Sequence, residues 1–373
     1  MIPILCCWLC GLVVAYVLIG YPMLLALVAR WRPRPWRREF RALPVTVLLP
    51  VRNGERWLRK KLDSLLALDY PADLLRILVL SDGSTDGTAA IAGEYGGRGV
   101  ECYELPAGGK AAALNAGLEM AKDKVLFLTD VRQELSRNSL RDLVACLGDP
   151  AVGVASGELM LLDDGTGETR NVGLYWKYEK FIRRRQALVD SVPGATGAIY
   201  VIRRDLARTM PAEVLLDDVY LPAGALQQGF RVIFEDRALA FDKTATLEAE
   251  FGRKVRTQAG MWQLLRLQPW LLGPGNRIWL HFVSHKVGRL LLPFALAGFL
   301  FASPWTPGPW PWMLLVGQGL FYGAALLDPL LELSNPLKRV TGPIRTFTTL
   351  LLAAVVGLRV FWVPARDLWG QAK

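Results

Sequence analysis

Three acidic positions stand where apolar runs end or a helix could start: Asp82 in ILVLSDGSTDGT (Ile77 to Thr88), Asp130 in KVLFLTD, and the pair Asp217-Asp218 in VLLDDVYLP. A carboxylate fixed at the end of a buried strand can hydrogen-bond a hydroxylated ligand, carry a hard divalent cation, or take a proton. Other catalytic sets find little support. No GxGxxG follows the first apolar run, and no Walker lysine motif occurs. The two histidines, His281 and His285, have helical spacing beside an apolar segment and read as membrane-interface residues rather than a metal pair. Of the five cysteines, Cys6, Cys7 and Cys10 lie in one apolar stretch, and Cys102 and Cys146 show no metal spacing, so all read as small apolar residues. Without a suitable His or an activated Cys, a nucleophilic triad is not expected. Carboxylate chemistry remains.

The elements that must position these acids are visible from Pro44 onward. VTVLLPV (Val45 to Val51), RILVLSD (Arg76 to Asp82) and KVLFLTD (Lys124 to Asp130) read as buried strands. ERWLRKKLDSLLAL and GGKAAALNAGLEMAK between them carry apolar residues at helical spacing. Alternation of this kind predicts an α/β fold with a mostly parallel sheet and flanking helices. Ligands of open α/β sheets bind outside the carboxyl ends of the strands. All three runs end there in polar residues: Arg52-Asn53-Gly54-Glu55, Asp82-Gly83-Ser84, and Asp130.

The rest of the chain reads as membrane. Of 373 residues, 52% are hydrophobic and 21% charged, and the mean hydropathy is +0.25. Ile2 to Ala29 holds no charged residue, which predicts an uncleaved transmembrane anchor over 1–29. RWRPRPWRR (Arg30 to Arg38) follows at once, so the basic-residue rule puts the next domain, 44–250, in the cytoplasm. RKVRTQAGMWQLLRLQPWLL is basic, aromatic and apolar together, which predicts interfacial amphipathic helices over 251–289. Apolar stretches near Leu290 to Phe301, Trp310 to Leu327 and Phe347 to Val363 predict about three transmembrane segments over 290–363. The net charge of +10 sits beside these spans, with no nucleic-acid motif, so anionic membrane lipid is the expected partner and nucleic acid is not.

VTVLLPVRNGE, ILVLSDGSTDGT, GGKAAALNAGL, VLFLTD and LLDDVYLP occur in an order that resembles family 2 glycosyltransferases of the GT-A fold. With its anchor and C-terminal spans, the chain is similar to the membrane branch that includes hyaluronan, cellulose and poly-N-acetylglucosamine synthases. The resemblance implies inverting transfer from a nucleotide-sugar, UDP-linked, to a saccharide or lipid-linked acceptor at the cytoplasmic face of a bacterial-type inner membrane, with synthase or export partners. It implies that Asp82, with Pro50 and Glu55, binds the nucleotide, and that Lys110 approaches the diphosphate. Asp130 is then the acid for a Mg²⁺ or Mn²⁺ ion, Asp218 the general base, and Asp217 its companion. PGATGAIYVIRR (Pro193 to Arg204) resembles the family's loop beside the two sugars. Asn115 reads as a packing or capping residue.

Two departures from the family's pattern stand out. Its Asp-x-Asp is here Asp130-Val131-Arg132, so a cation that could pair with phosphate replaces the second acid. The Gln-x-x-Arg-Trp of processive members is replaced by RKVRTQAGMWQ. There Arg253 and Arg256 are expected to grip the diphosphate, and Trp262 and Gln258 to meet the acceptor. The missing acid keeps a second reading open, a catalytically silent subunit that binds nucleotide-sugar and scaffolds a synthase complex.

Overall fold

The computed structural model describes residues 1–162, 174–243, 247–332 and 335–370. Eight strands form one sheet: β1 Val45–Val51, β2 Leu75–Asp82, β3 Val100–Leu105, β4 Val125–Leu128, β5 Glu134–Leu135, β6 Val152–Leu162, β7 Tyr200–Arg203 and β8 Arg231–Lys243. Their spatial order is β3-β2-β1-β4-β7-β6-β8-β5. The first four are parallel, and β7 runs antiparallel between β4 and β6, so the sheet is mixed. β1 starts and ends where its apolar run does. β4 stops at Leu128, two residues short of Asp130, which places that acid on the loop beyond the sheet.

The parallel half is buried on both faces, hence its near-continuous apolar runs. Leu48, Leu78, Leu126 and Phe127 are fully buried in it. Helix α1, Glu55–Leu66, turns Leu58, Leu62 and Leu65 into this core at helical spacing. Helix α2, Lys110–Met120, contributes Leu114 and Leu118. α2 starts after Gly109, whose φ of +87° suits glycine and would strain any other residue. The side chain of Asn115 on α2 brackets the backbone of Met210, donating to its carbonyl at 2.7 Å and accepting from its amide at 2.9 Å. Helices α3, Leu174–Val189, α4, Asp217–Gln227, and α5, Leu247–Leu267, follow in the chain.

Among the described residues, four helices are long and apolar enough to cross a membrane: M1 Ile2–Trp31, M2 Trp279–Trp305, M3 Trp310–Leu330 and M4 Lys338–Phe361. Their number agrees with the expectation, but two boundaries do not. M2 begins well before Leu290, so residues 279–289 are continuous with that helix. His281 and His285 are buried within the protein: Tyr21 of M1 lies 3.2 Å from His281 Nδ1, and Gln186 of α3 lies 3.2 Å from His285 Nδ1. M4 begins at Lys338 rather than near Phe347. Two of its early cations pair with buried Asp328, which lies 3.7 Å from Lys338 and 3.2 Å from Arg345. α5 packs directly on M4. A Cβ on Gly357 would lie 2.8 Å from the Ala259 backbone nitrogen, so only glycine allows this crossing. All five cysteines are free.

Candidate active site

β1 pairs with β2 on one side and β4 on the other, so the connections leaving its neighbours diverge and open a crevice at the carboxyl ends. The polar residues that the sequence places at this edge largely hold one another. The Asn53 amide donates to Ser84 Oγ at 3.1 Å, and Asn53 Oδ1 accepts from the Thr85 amide at 2.9 Å. Glu55 accepts from the Gly87 amide, while its own amide donates to Asp86, each at 3.0 Å. The loops after β1 and β2 are thereby stapled into one rim, with Pro50 at the end of β1. Asp82 is only 4% exposed, and its Oδ1 accepts from the amides of Gly108 and Gly109 at 2.7 and 2.9 Å. That carboxylate therefore fixes the turn that launches α2.

The first residue of α2 is Lys110. Its ammonium lies 2.9 Å from Asp130 Oδ1 and 2.9 Å from Asp217 Oδ1. Three motifs far apart in the chain thus meet at one nitrogen. Burial disfavours the ammonium, but Asp130, Asp217 and Asp218 together outweigh it and raise its pKa above the ordinary lysine value. Two buried polar atoms nearby, Asp217 Oδ2 and the Tyr200 hydroxyl, have no hydrogen-bond partner among the described residues.

Asp217 and Asp218 open α4, where carboxylates favour the positive end of the helix dipole. Asp218 is half-buried, and the segment Pro193 to Arg204 wraps it: the Gly197 amide donates to its Oδ2 at 3.1 Å, and the Ala195 amide to its main-chain carbonyl at 2.7 Å. Burial first, then the charge of Asp217, push the Asp218 carboxyl up to about 6, with Lys110 opposing. A carboxylate so poised is ionised at neutral pH yet basic enough to take a proton.

Arg132, which stands where a second metal acid was expected, is not turned to a ligand alone. It donates to Asp242 at 2.6 Å, and Asp242 also accepts from Gln133 at 2.8 Å and lies 3.9 Å from Arg253 of α5. Burial lowers the pKa of Arg256, one helical turn on, while Asp130, Asp218 and Asp217, which line the same cavity, oppose that shift. Trp262 lies elsewhere. Its indole N–H donates to the Ala354 carbonyl of M4 at 2.9 Å, and its ring meets Phe361 edge-on. The indole is therefore a tie between α5 and M4, on the helix face opposite to Arg253.

A cavity of about 860 Å³ joins these groups. Lys110, Asp130, Arg132, Asp217, Asp218, Arg253, Arg256 and Gln258 line it; Pro50, Glu55, Asp82 and Trp262 are not among its lining residues. Four charged residues here escaped the sequence reading. Arg183 of α3 lines the cavity, donating to Thr196 and Ser156 at 2.8 and 3.1 Å. Asp242 ends β8 and anchors Arg132. Lys286 sits on M2 and also lines the cavity. Lys61, buried on α1, donates to Thr129 Oγ1 and the Gln133 carbonyl, both at 2.6 Å, and so braces the loop that carries Asp130.

Residues 46–210 match the model of the family described as glycosyl transferase family 2. The chain is 25% identical over 236 residues to the probable glycosyltransferase YdaM of Bacillus subtilis, covering 56% of this chain and 53% of that protein. It therefore spans about half the length of that relative. Over 357 residues it is 21% identical to a beta-monoglucosyldiacylglycerol synthase of Synechocystis, covering 87% of this chain and 74% of the other. In structure it is similar to a mannosyltransferase of Pyrobaculum calidifontis solved with GDP-mannose and Mn²⁺, with a TM-score of 0.72 over 95% of this chain and 98% of that one, at 21% identity. At that identity the likeness establishes the shared fold.

Proposed function

We propose that this chain, whose residues 46–210 match the glycosyl transferase family 2 model and whose fold is of the GT-A type, is a family 2 glycosyltransferase that transfers a sugar, with inversion, from a nucleotide-sugar to an acceptor hydroxyl at a membrane surface. The observation that carries the reading is Asp218, a carboxyl held near 6 on the wall of a cavity beside the Lys110–Asp130–Asp217 cluster. The acceptor oxygen attacks the anomeric carbon while Asp218 takes its proton; the bond from that carbon to the diphosphate oxygen breaks, and nucleoside diphosphate leaves. One displacement with one base inverts the centre.

The nucleotide is read as lying on the rim side, at Pro50, Glu55 and Asp82, and its diphosphate near Lys110, Arg256 and Arg253. Lys110 joins the donor side to the acceptor side because it touches both Asp130 and Asp217. The chain offers no group of three or more acidic, His or Cys ligands among the described residues. That donor set fits a Mg²⁺ or Mn²⁺ ion bound chiefly through substrate phosphate and one carboxylate, since these ions keep much of their oxygen shell from water and ligand. Asp130 is the residue that would hold it, and the ion would neutralise charge on the leaving diphosphate. Arg132, anchored by Asp242, supplies a fixed positive charge where the second acid is missing.

The basic run Arg30 to Arg38 after M1 supports a cytoplasmic catalytic domain in a bacterial-type inner membrane. The family resemblance favours a uridine nucleotide, whereas the Pyrobaculum neighbour was solved with GDP-mannose. Detergent-purified protein should therefore be tested against UDP- and GDP-sugars, alone and with saccharide and lipid acceptors. Release of nucleoside diphosphate that is lost in Asp218→Asn, with donor binding kept, is the expected result. Tight donor binding with no turnover on any acceptor would favour the silent-subunit reading instead.

A further inference from the structure

The cavity leaves the nucleotide rim behind and runs toward the membrane helices. Past Asp218 its wall is made by Tyr175 of α3, Leu292 of M2, Phe321 of M3, and Ile344, Phe347 and Leu351 of M4. Its catalytic end is charged and its far end is apolar. At the junction stands Lys286, on a π-helical turn of M2, Phe282–Val287. Widened turns of this kind often mark functional positions in helices. A second one, Tyr16–Gly20 in M1, packs against it: the hydroxyls of Tyr16 and Ser284 are 2.7 Å apart.

The neighbouring cations are already engaged. Arg289 pairs with Glu179, Lys180 pairs with Glu158, and Arg183 holds Thr196 and Ser156. Lys286 makes no hydrogen bond or ion pair among the described residues, although its charge acts on Asp218. An ammonium at membrane depth is expensive unless it is paired or serves a ligand.

We propose that this arm of the cavity is the acceptor site, and that it takes an amphiphile carrying both a free hydroxyl and a phosphate. The phosphate pairs with Lys286, the hydroxyl lies at Asp218, and the tail occupies the apolar end between M2, M3 and M4. The hydroxyl and the phosphate are separate groups, because a terminal phosphate would be its own nucleophile and need no base. The inference rests on the glycosyl-transfer reading and names its acceptor class.

The test uses the full chain in neutral phosphatidylcholine vesicles with a labelled nucleotide-sugar. Three acceptors are compared: phosphatidylglycerol, diacylglycerol (a hydroxyl and tail without phosphate), and glycerol phosphate (the headgroup without a tail). Label should pass into the lipid phase best with phosphatidylglycerol. Lys286→Gln should raise the KM for phosphatidylglycerol at least tenfold and change that for diacylglycerol far less. Leu351→Trp, which fills the apolar end, should raise the KM for both lipids and not that for glycerol phosphate. Calorimetry with nucleoside diphosphate checks that each variant is folded. Equal use of glycerol phosphate, or a Lys286→Gln effect that is the same for all three acceptors, overturns this inference and leaves glycosyl transfer standing. No release of nucleoside diphosphate with any acceptor overturns both.

Discussion

Neutralising Lys110 and neutralising Asp217 should move the acid limb of catalysis in opposite directions. The Lys110 ammonium sits 2.9 Å from an oxygen of each of two acids. At an effective dielectric of about 20, one such contact is worth about 6 kcal/mol before the desolvation of the charges is subtracted. The Asp130 side chain is 38% exposed, so water screens that contact, whereas the Asp217 side chain is 7% exposed and keeps most of its contact. Lys110→Met therefore leaves one buried carboxylate uncompensated, a loss of about 3 to 5 kcal/mol in stability. Asp218 feels the same change at longer range. Lys110 lowers its pKa and Asp217 raises it, from a folded value of about 6. Without the ammonium the base stays protonated to higher pH; without the Asp217 charge it ionises at lower pH. Each shift should be on the order of one unit, about 1.4 kcal/mol. The assay is kcat against pH at saturating donor and acceptor, which removes the effect of Lys110 on donor binding. Lys110→Met should shift the limb upward, with activity partly regained at alkaline pH, and Asp217→Asn should shift it downward. Limbs that move together, or stay near 6 in both variants, would refute the electrostatic reasoning.

Asp218→Asn should remove activity and stabilise the protein. Because the folded pKa of Asp218, about 6, lies above its ordinary 3.8, ionising it costs folding energy as pH rises between those values. Thermal melts should show a gain of about 2 to 3 kcal/mol at pH 7 that vanishes below pH 4; no gain would mean the carboxyl is not strained. Metal and nucleotide should bind cooperatively, with weak Mg²⁺ or Mn²⁺ affinity until nucleoside diphosphate is added, and Asp130→Ala should abolish the coupling. Strong metal binding in calorimetry without nucleotide would contradict this. Trp262→Phe should lower stability by about 1 kcal/mol through loss of the bond to the Ala354 carbonyl. Acceptor KM should not change; a large KM effect would restore its role as a stacking surface.

Local pattern carried a good part of this protein. The apolar runs at Val45, Arg76 and Lys124 became strands because burial on both sheet faces selects such runs. The acids at their ends fell at the carboxyl edge because strand direction alone puts them there. Four long apolar segments are likewise legible from composition. The helix bounds were less so. M4 begins at Lys338 rather than near Phe347, and the pairing of Lys338 and Arg345 with Asp328 offsets the cost of charge in that helix. The same holds in the site. Lys110 bridges Asp130 and Asp217, Arg132 turns to Asp242, Trp262 faces M4, and Lys286 enters the cavity. Residue types and spacing determined which groups were available and which edge of the sheet would hold them. Their partners, and the pKa that makes Asp218 a base, were decided by the tertiary structure, because charge coupling and desolvation depend on distances between segments that are remote in the chain.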